Sequence, residues 1–253
     1  MNEIELNIFT CCDDNYIDFI PLFVVSNLYH IENCFVEVGI KTNDLNSIKK
    51  TELLLNTVCP NKFLIHRLDN EFGFSTSTIR FIKEPITKSK YVYISDIDIV
   101  TLDSTIVSTH LNIMEKHNLP YSNIIRDNTN GYRLTGLHFT PYENYYPIQD
   151  YTDLNYLLNH DEVFLYHLIQ KRFPDVRNNN KLRPVHGIHM SPNRDPLHEK
   201  LGWGLNRLNY DGTNRKEAWK KFEKSYEFKS IYPHLSERLM ENISIINRYY
   251  DEV

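Results

Sequence analysis

The sequence predicts an α/β protein with a mostly parallel central sheet flanked by helices. Over the first hundred residues, apolar runs of strand length alternate with segments whose apolar residues have helical spacing. Strands separated by helices of this length are typical of a parallel sheet covered on both faces. Because such crossovers are right-handed, the carboxyl ends of the strands should meet at one rim of the sheet.

The elements of this first part are predicted from residue type and period. The strand candidates are rich in β-branched and aromatic residues, and a Ser or Thr near position 75 can cap a helix. In chain order we predict strand Ile4–Cys12, helix Tyr16–His30, strand Cys34–Ile40, helix Asp44–Thr57, strand Lys62–Leu68, helix Ser75–Ile86 and strand Tyr91–Val100.

After Asp98 the alternation loosens. We predict a helix over Leu102–His117, strands Tyr121–Arg126 and Tyr132–Thr140 around a turn at Asn128–Gly131, a mostly helical segment Asp150–Phe173, a late strand Arg183–Met190 and a pair of helices within Asn214–Tyr250. No repeat or linker is visible, so we expect a single domain over 1–253. Within it, 1–100 would be the nucleotide-binding half, 101–205 the acceptor and metal half, and 206–253 the C-terminal helices.

Composition restricts the class of protein. The 253 residues carry a formal net charge of −5, which argues against a nucleic-acid partner. The four cysteines show no C-x-x-C pair and no Cys/His metal spacing, and a reducing compartment is the simplest interpretation. No signal peptide and no run of 18 apolar residues is present. We therefore expect a cytoplasmic protein with at most peripheral membrane contact.

Asp96 and Asp98 are the most informative residues. They follow the apolar run that starts at Tyr91, where a buried strand should end. Residues i and i+2 of an extended chain point to the same side, so both carboxylates should face one place on the rim. Two anions held this close favour a hard divalent cation between them. The alternative is a polar strand end whose acids cap the next helix.

A second polar group, Asp13-Asp14-Asn15-Tyr16, follows the first strand. Its carboxylate and amide oxygens can accept hydrogen bonds from a nucleobase or a ribose, and Tyr16 offers an aromatic face for stacking. The glycine-rich loops of Rossmann and P-loop nucleotide sites are absent from the sequence. Helix capping by Asp14 or Asn15 is the alternative.

These two motifs in this order, Ile8–Tyr16 (IFTCCDDNY) and Tyr93–Val100 (YISDIDIV), resemble the family 8 glycosyltransferases. The resemblance implies a GT-A fold, the nucleotide-diphospho-sugar transferase fold, with a UDP-sugar donor, manganese and retention of configuration. It extends to an arginine on the helix before DxD, a small-residue strand, an acidic helix start and a late histidine before a cationic loop. Arg80, Thr135–Phe139 with Gly136, Asp161-Glu162 and His189 occupy these positions.

The resemblance also implies roles for single residues. Asp96, Asp98 and His189 would hold Mn²⁺ or Mg²⁺, with His186 as the alternative histidine on the opposite face of its strand. Asp13, Asn15 and Tyr16 would hold the uridine, with Asp96 near the ribose. Arg194 is the cation nearest the position of the family's lysine beside the diphosphate, and Lys200 is the alternative. Gly136 would let a sugar approach the backbone.

Arg80, Asp161 and Glu162 are the predicted catalytic residues. If transfer retains configuration, Arg80 and Asp161 would grip the donor sugar and stabilise oxocarbenium charge, with Glu162 beside them. If transfer inverts configuration, Asp161 could act as the general base. The alternative is that the two acids at a helix start only complement the helix dipole.

The predicted function is metal-dependent transfer of a hexose from a nucleotide-sugar, expected to be UDP-linked, to a glycan or glycolipid hydroxyl. One alternative is a haloacid-dehalogenase-like phosphohydrolase, whose nucleophile motif also ends an apolar strand in Asp-x-Asp. Ile99 in place of the usual glycine, and three strand–helix units before the motif, argue against it. The other alternative is a non-catalytic nucleotide-sugar binding protein.

Overall fold

The computed structural model of the protein describes residues 4–68, 74–129, 131–182 and 185–252. Its strands are β1 (Leu6–Asp13), β2 (Cys34–Lys41), β3 (Phe63–Arg67), β4 (Tyr91–Ile94), β5 (Ile99–Thr101), β6 (Arg126–Asn128), β7 (Gly131–Arg133), β8 (His138–Pro141) and β9 (Gly187–His189). Its α-helices are α1 (Ile20–His30), α2 (Leu45–Val58), α3 (Thr76–Ile82), α4 (Ile106–His117), α5 (Tyr142–Tyr145), α6 (Asp161–Arg172), α7 (Arg215–Glu223), α8 (Tyr226–Ile231) and α9 (Glu237–Glu252).

A five-stranded sheet with the order β3-β2-β1-β4-β8 forms the centre. The first four strands in this order are parallel, and β8 pairs antiparallel with β4 at the edge. The mostly parallel sheet predicted from the alternation of strands and helices is therefore confirmed. Two further pairs, β5 with β9 and β6 with β7, are antiparallel.

Two apolar clusters cover the two faces of this sheet. Neighbouring residues of β1 illustrate the division, because Ile8 packs into one cluster and Phe9 into the other. The cluster around Ile8 includes Trp219 and Leu239 of the C-terminal helices. The cluster around Phe9 includes Phe164 of α6. Burial on both faces explains why β1 is apolar almost throughout instead of alternating.

The apolar run that carries Asp96 and Asp98 does not form one strand. β4 ends at Ile94 and the chain resumes as β5 at Ile99, so the single strand predicted over Tyr91–Val100 is wrong. The chain changes partner between the two, since the Ser95 amide donates to Phe9 O of β1 while the Met190 amide donates to Asp98 O. Both acids therefore lie in the connection between two sheets.

Other predicted elements differ where side chains replace backbone pairing. The segment Tyr121–Arg126 makes only an isolated bridge from Ser122 to Phe139, and Tyr132–Thr140 is divided between β7 and β8. Between these two strands, the Thr135 amide donates to the Asn123 side chain at 3.0 Å. A side-chain acceptor therefore takes the place of a strand partner.

Several helix boundaries also differ. The helix predicted from Leu102 begins at Ile106, because Asp103 accepts the Thr105 amide and forms a turn before it. The helix predicted over Ser75–Ile86 ends at Ile82.

Three segments remain to be compared. The segment Asp150–Phe173 consists of a 3₁₀ turn at Thr152–Leu157 followed by α6, and the predicted C-terminal pair is the three helices α7, α8 and α9. Arg183 and Pro184 of the predicted late strand, and Asn130 of the predicted turn, lie outside the described residues.

Within the described part of the chain, no helix is long and apolar enough to cross a bilayer. The cytoplasmic location stays a prediction.

Candidate active site

A cavity of about 250 Å³ opens at the rim where β1 and β4 end. We call it the central cavity. It is lined by Cys11, Cys12, Tyr16, Thr76, Ser77, Arg80, Asp96, Ile97, Asp98, Asp161 and His189. Six predicted site residues are thus brought together from segments far apart in the chain. The carboxyl rim of a parallel sheet is the ordinary position of a ligand site in such folds.

Asp96, Asp98 and His189 offer ligand atoms that lie within 4.8 Å of one another. His189 Nε2 is 3.1 Å from Asp98 Oδ1 and 3.8 Å from Asp96 Oδ2. The backbone fixes this arrangement, because His189 pairs with Ile99, one residue after Asp98. Two carboxylates and one imidazole suit Mn²⁺ and accept Mg²⁺, so the residues present fit a divalent cation.

His186 does not reach these carboxylates. Its Nδ1 lies 3.1 Å from Asp103 Oδ2, and its Nε2 lies 3.3 Å from His110 Nε2. All three side chains are buried. His189, not His186, is therefore the histidine that faces the acidic pair.

Arg80 joins the two acidic parts of the cavity. Its Nη1 donates to Asp96 Oδ1 and to Ser95 O, and its Nη2 donates to Asp161 Oδ2 at 3.3 Å. The side chain is buried, which disfavours the charge, but Asp96 and Asp161 outweigh this effect and raise the pKa of Arg80. Arg80 thus stays cationic and holds one oxygen of Asp96, while the other oxygen faces His189.

Gly136 makes room for Arg80. A Cβ atom at this position would lie 2.7 Å from Arg80 Nη2 and 3.1 Å from Asp96 Oδ1. The guanidinium therefore occupies the space that a side chain at this position would need, and the approach of a sugar to this backbone stays a prediction. Asp161, at the first position of α6, is partly exposed to the cavity. Burial raises the pKa of Asp161, and Arg80 lowers it by less.

Glu162 is not brought to the central cavity. Its carboxylate accepts hydrogen bonds from Arg126 at 2.8 Å, from Arg133 at 2.7 Å and from the Gly136 amide at 3.1 Å. It therefore fastens the β6–β7 hairpin to the start of α6, next to Asp161. Sequence reasoning missed Arg126 and Arg133, and no local pattern links them to Glu162 across about thirty residues.

Asp13 and Asn15 line a second cavity of about 480 Å³, which we call the β1 cavity. Asp13 Oδ1 accepts the Asn15 amide at 3.0 Å, which folds the loop into a turn. Thr76, at the start of α3, lines both this cavity and the central one. Tyr16 lines only the central cavity of the two. The loop Asp13–Tyr16 thus spans two adjoining cavities.

Arg194 and Lys200 line a third cavity of about 580 Å³, which we call the basic cavity. It shares His189 with the central cavity. Its lining consists of Arg126, Val185, His189, Asn193, Arg194, Asp195, His198, Lys200, Leu201, Gly202, Trp203 and Arg207. The structure places Arg194 beside the histidine of the cation site but outside the central cavity. Arg207 was missed, because nothing in its local sequence separates it from other charged loop residues.

No protein-family model and no curated protein matches the sequence. Among solved structures, the chain is similar to an active-site mutant of LgtC, with a TM-score of 0.51 and 12% identity over 85% of this chain and 95% of that one. It also matches the glycosyltransferase GlyE of Streptococcus pneumoniae TIGR4, with a TM-score of 0.46 and 12% identity over 69% of this chain. The match spans 44% of the GlyE chain. The likeness to LgtC shows the fold, which is the GT-A fold that the family 8 resemblance implied.

Proposed function

We propose that the protein is a metal-dependent glycosyltransferase that moves a hexose from a UDP-sugar to a hydroxyl group of a glycan or glycolipid. The observation that carries the proposal is the convergence of Asp96, Asp98 and His189 within 4.8 Å at the sheet rim. These residues lie between a cavity suited to a nucleoside and a cavity rich in cations. LgtC, with which the chain shares its fold, is named a galactosyltransferase, and this favours the same class of reaction.

The nucleoside would bind at the end of β1. Tyr16 presents its ring to the central cavity, while Asp13 and Asn15 supply oxygen and amide groups to the adjoining β1 cavity. Stacking on an aromatic face and hydrogen bonds to carboxylate oxygens suit a uracil N–H and ribose hydroxyls. The 1–100 part of the chain would then hold the nucleotide, as its order of motifs predicts.

Asp96, Asp98 and His189 would hold the Mn²⁺ or Mg²⁺ ion. A bound divalent cation supplies positive charge that stabilises a diphosphate leaving group. Arg80 keeps Asp96 in position by binding the carboxylate oxygen that does not face His189. Arg194, in the neighbouring basic cavity, would add a cationic contact to the diphosphate.

The donor sugar would lie between Asp161 and the cation site. Asp161 is partly exposed to the central cavity, and Arg80 Nη2 holds one of its oxygens at 3.3 Å. An anionic carboxylate in this position stabilises oxocarbenium charge at the anomeric carbon. We propose retention of configuration, on the family resemblance. Glu162 would act on the reaction through Asp161, since its own carboxylate binds the β6–β7 hairpin.

The phosphohydrolase alternative requires the first acid of Asp-x-Asp to attack the phosphoryl group. Here Arg80, a buried arginine, binds Asp96 Oδ1 and withdraws charge from that carboxylate, which makes it a poorer nucleophile. The non-catalytic alternative makes a separate prediction, namely that UDP-sugars bind with metal but are never turned over.

A thermal-shift screen with UDP-, GDP- and CMP-sugars, with and without Mn²⁺, tests the donor and the metal together. We expect a UDP-sugar with Mn²⁺ to raise the unfolding midpoint most, because only the folded state binds the pair. UDP release in the presence of a glycan acceptor then tests turnover. Stabilisation by GDP- or CMP-sugars alone contradicts the donor assignment, and binding without UDP release contradicts the enzymatic proposal. The variant Asp153→Asn, at an exposed acid outside the three cavities, should respond to each ligand as the unmodified protein does.

A further inference from the structure

We infer that the acceptor carries a negatively charged group, a phosphate or a carboxylate, and that this group binds in the basic cavity. The inference rests on the proposed transferase function and names the substrate class of that site. It starts from the charge of a cavity that is about 580 Å³ in volume, in the range of small-molecule sites.

Three cations of this cavity lack an ionic partner. Arg194, Lys200 and Arg207 form no ion pair within the parts of the chain that the structure describes, 4–68, 74–129, 131–182 and 185–252. Arg207 instead donates from Nη2 to the backbone carbonyl of Lys200 at 3.3 Å, which places its guanidinium beside the backbone of Lys200. Unpaired cations of one sign around a concavity focus the electrostatic field there and favour an anion.

The acids near the cavity do not cancel this charge. Asp195 is the acidic residue among those that line it, so one negative charge stands against the three cations without an ionic partner. Glu162 is bound by Arg126 and Arg133, and its single negative charge offsets only one of these two positive charges. The whole chain has a formal net charge of −5, so a cationic cavity does not follow from composition.

The positive charge also exceeds what the donor would need. The diphosphate would lie beside Asp96, Asp98 and His189, where a bound cation already offsets much of its charge. Arg194 can supply one further contact. Lys200 and Arg207, which line the basic cavity and neither of the other two, then remain for a second anion. An acceptor hydroxyl must approach the donor sugar from a side that the nucleotide leaves open, and this cavity lies next to such a side.

The cavity has a fixed wall, which favours a specific ligand over loose counter-ions. Trp203 is buried and its Nε1 donates to Ser191 O at 3.1 Å. The Trp203 carbonyl accepts the His189 amide at 3.2 Å. The loop that carries Arg194 and Lys200 is thereby tied to the strand that presents His189.

The test compares three saccharides that differ in the group at C6: methyl glucoside, which is neutral, and methyl glucuronide and methyl glucoside 6-phosphate, which are anionic. Their dissociation constants are measured by NMR titration on the full chain with UDP and Mg²⁺ present, because Mg²⁺, unlike Mn²⁺, is diamagnetic and does not broaden the resonances. We expect at least tenfold tighter binding of one or both charged saccharides than of the neutral one. The glucuronide and the phosphate separate the two possible sources of the charge.

The double variant Lys200→Gln/Arg207→Gln should remove this preference while leaving the dissociation constant of UDP within twofold of the unmodified value. Lys116→Gln, an exposed lysine outside the three cavities, should keep the preference. So should the charge-conserving double variant Lys200→Arg/Arg207→Lys. Measuring the unfolding midpoint of every variant checks that each one is folded.

Two results would overturn the inference. One is equal affinity of the unmodified protein for the three saccharides. The other is a large loss of UDP affinity in the Gln/Gln variant with unchanged saccharide binding, which would assign both cations to the donor. Failure of the proposed function is a different result, since the protein would then bind no UDP-sugar with Mn²⁺ even if a charge preference for saccharides were measured.

Discussion

Two clusters of acids and histidines lie around the short strand β9. The rim cluster consists of Asp96, Asp98 and His189, and the buried cluster consists of Asp103, His110 and His186. The residue types are the same, and His186 and His189 are only three positions apart. The rim cluster opens into the central cavity, whereas all three side chains of the buried cluster are enclosed by protein.

The difference between the clusters lies in how their polar atoms are used. Asp103 accepts hydrogen bonds from Thr105 and from the Tyr210 amide besides its contact with His186. His110 uses one ring nitrogen on His186 and the other on Ser122, at 2.8 Å. A carboxylate supplied with donors in this way has no need of a cation.

In the rim cluster, by contrast, carboxylate and imidazole atoms converge on one another beside a cavity. Acid and histidine content alone therefore does not identify a metal site. What distinguishes the two clusters is access to a cavity.

The largest expected effect is that of Asp98→Asn. We expect the transfer rate to fall by ~10³-fold or more, ~4 kcal/mol in transition-state stabilisation, because the cation site loses a charged ligand. The Mn²⁺-dependent rise in unfolding midpoint should disappear. Without metal the variant should be as stable as the unmodified protein, since one of two adjacent anions is removed. Steady-state kinetics and thermal unfolding check both parts, and a surviving Mn²⁺ shift would exclude Asp98 as a ligand.

Asp103→Ala should produce the opposite combination. Removing this carboxylate leaves His186 and three donors, namely the Thr105 amide and hydroxyl and the Tyr210 amide, without that partner, so we expect the free energy of unfolding to fall by ~3 kcal/mol. The Mn²⁺-dependent shift should persist in the folded variant, because the rim cluster is intact. Denaturant unfolding measures the loss. A loss of less than ~1 kcal/mol would show that the buried cluster does not stabilise the fold.

Much of the scaffold could be predicted because it depends on local signals. The parallel strands could be predicted from short apolar runs. The position of Asp96 and Asp98 at the rim could be predicted because both acids come at the end of such a run. His189 could be proposed because a late strand in an α/β chain tends to end near the same rim. These arguments need only the period of the pattern and the direction of the chain.

The remainder depends on contacts between distant segments. The chain leaves β4 after Ile94 because its next partner is β9, almost a hundred residues later, and no local pattern indicates that exchange. Glu162 was predicted to act beside Asp161, but two arginines of the β6–β7 hairpin bind it. Likewise, His186 contacts Asp103 and not the rim cluster, and no local sequence pattern places Asp103 next to His186. Adjacent residues with similar chemistry therefore diverge in role through their tertiary partners.

The variant Arg80→Lys tests how far the rim cluster depends on the hydrogen bond from Arg80 to Asp96. A lysine keeps the charge but cannot donate to Asp96, Asp161 and Ser95 O together, since it lacks the forked geometry of a guanidinium. We expect a ~10–30-fold loss of transfer rate, about 1.4–2 kcal/mol. Arg172→Lys is the matched control, because Arg172 also binds backbone carbonyls but lies outside the central cavity. Equal transfer rates for both variants would show that the three hydrogen bonds of the Arg80 guanidinium do not contribute to the transfer rate.

The smallest expected effect concerns the buried cluster and pH. Burial lowers the pKa of His110, and burial lowers the pKa of His186 by more than Asp103 raises it. In the folded protein both rings therefore stay neutral at a pH where the unfolded chain, with histidine pKa values of about 6.5, takes up protons. The unfolded state then binds more protons, so stability should fall as pH decreases below about 6.5.

Measuring the free energy of unfolding between pH 7.5 and pH 5 for the unmodified protein and for His110→Gln isolates the contribution of this ring, because the other titrating groups are the same in both proteins. Histidine contacts and backbone hydrogen bonds lower the pKa of Asp103 against the cost of burial, so its titration lies below this window. His110→Gln should reduce the loss of stability by up to ~1.4 kcal/mol per pH unit below 6.5, because one buried ring no longer contributes. His234→Gln, at an exposed histidine, should leave the slope unchanged. An unaltered slope in His110→Gln would mean that His110 binds protons equally in the folded and unfolded states, so that burial does not lower its pKa.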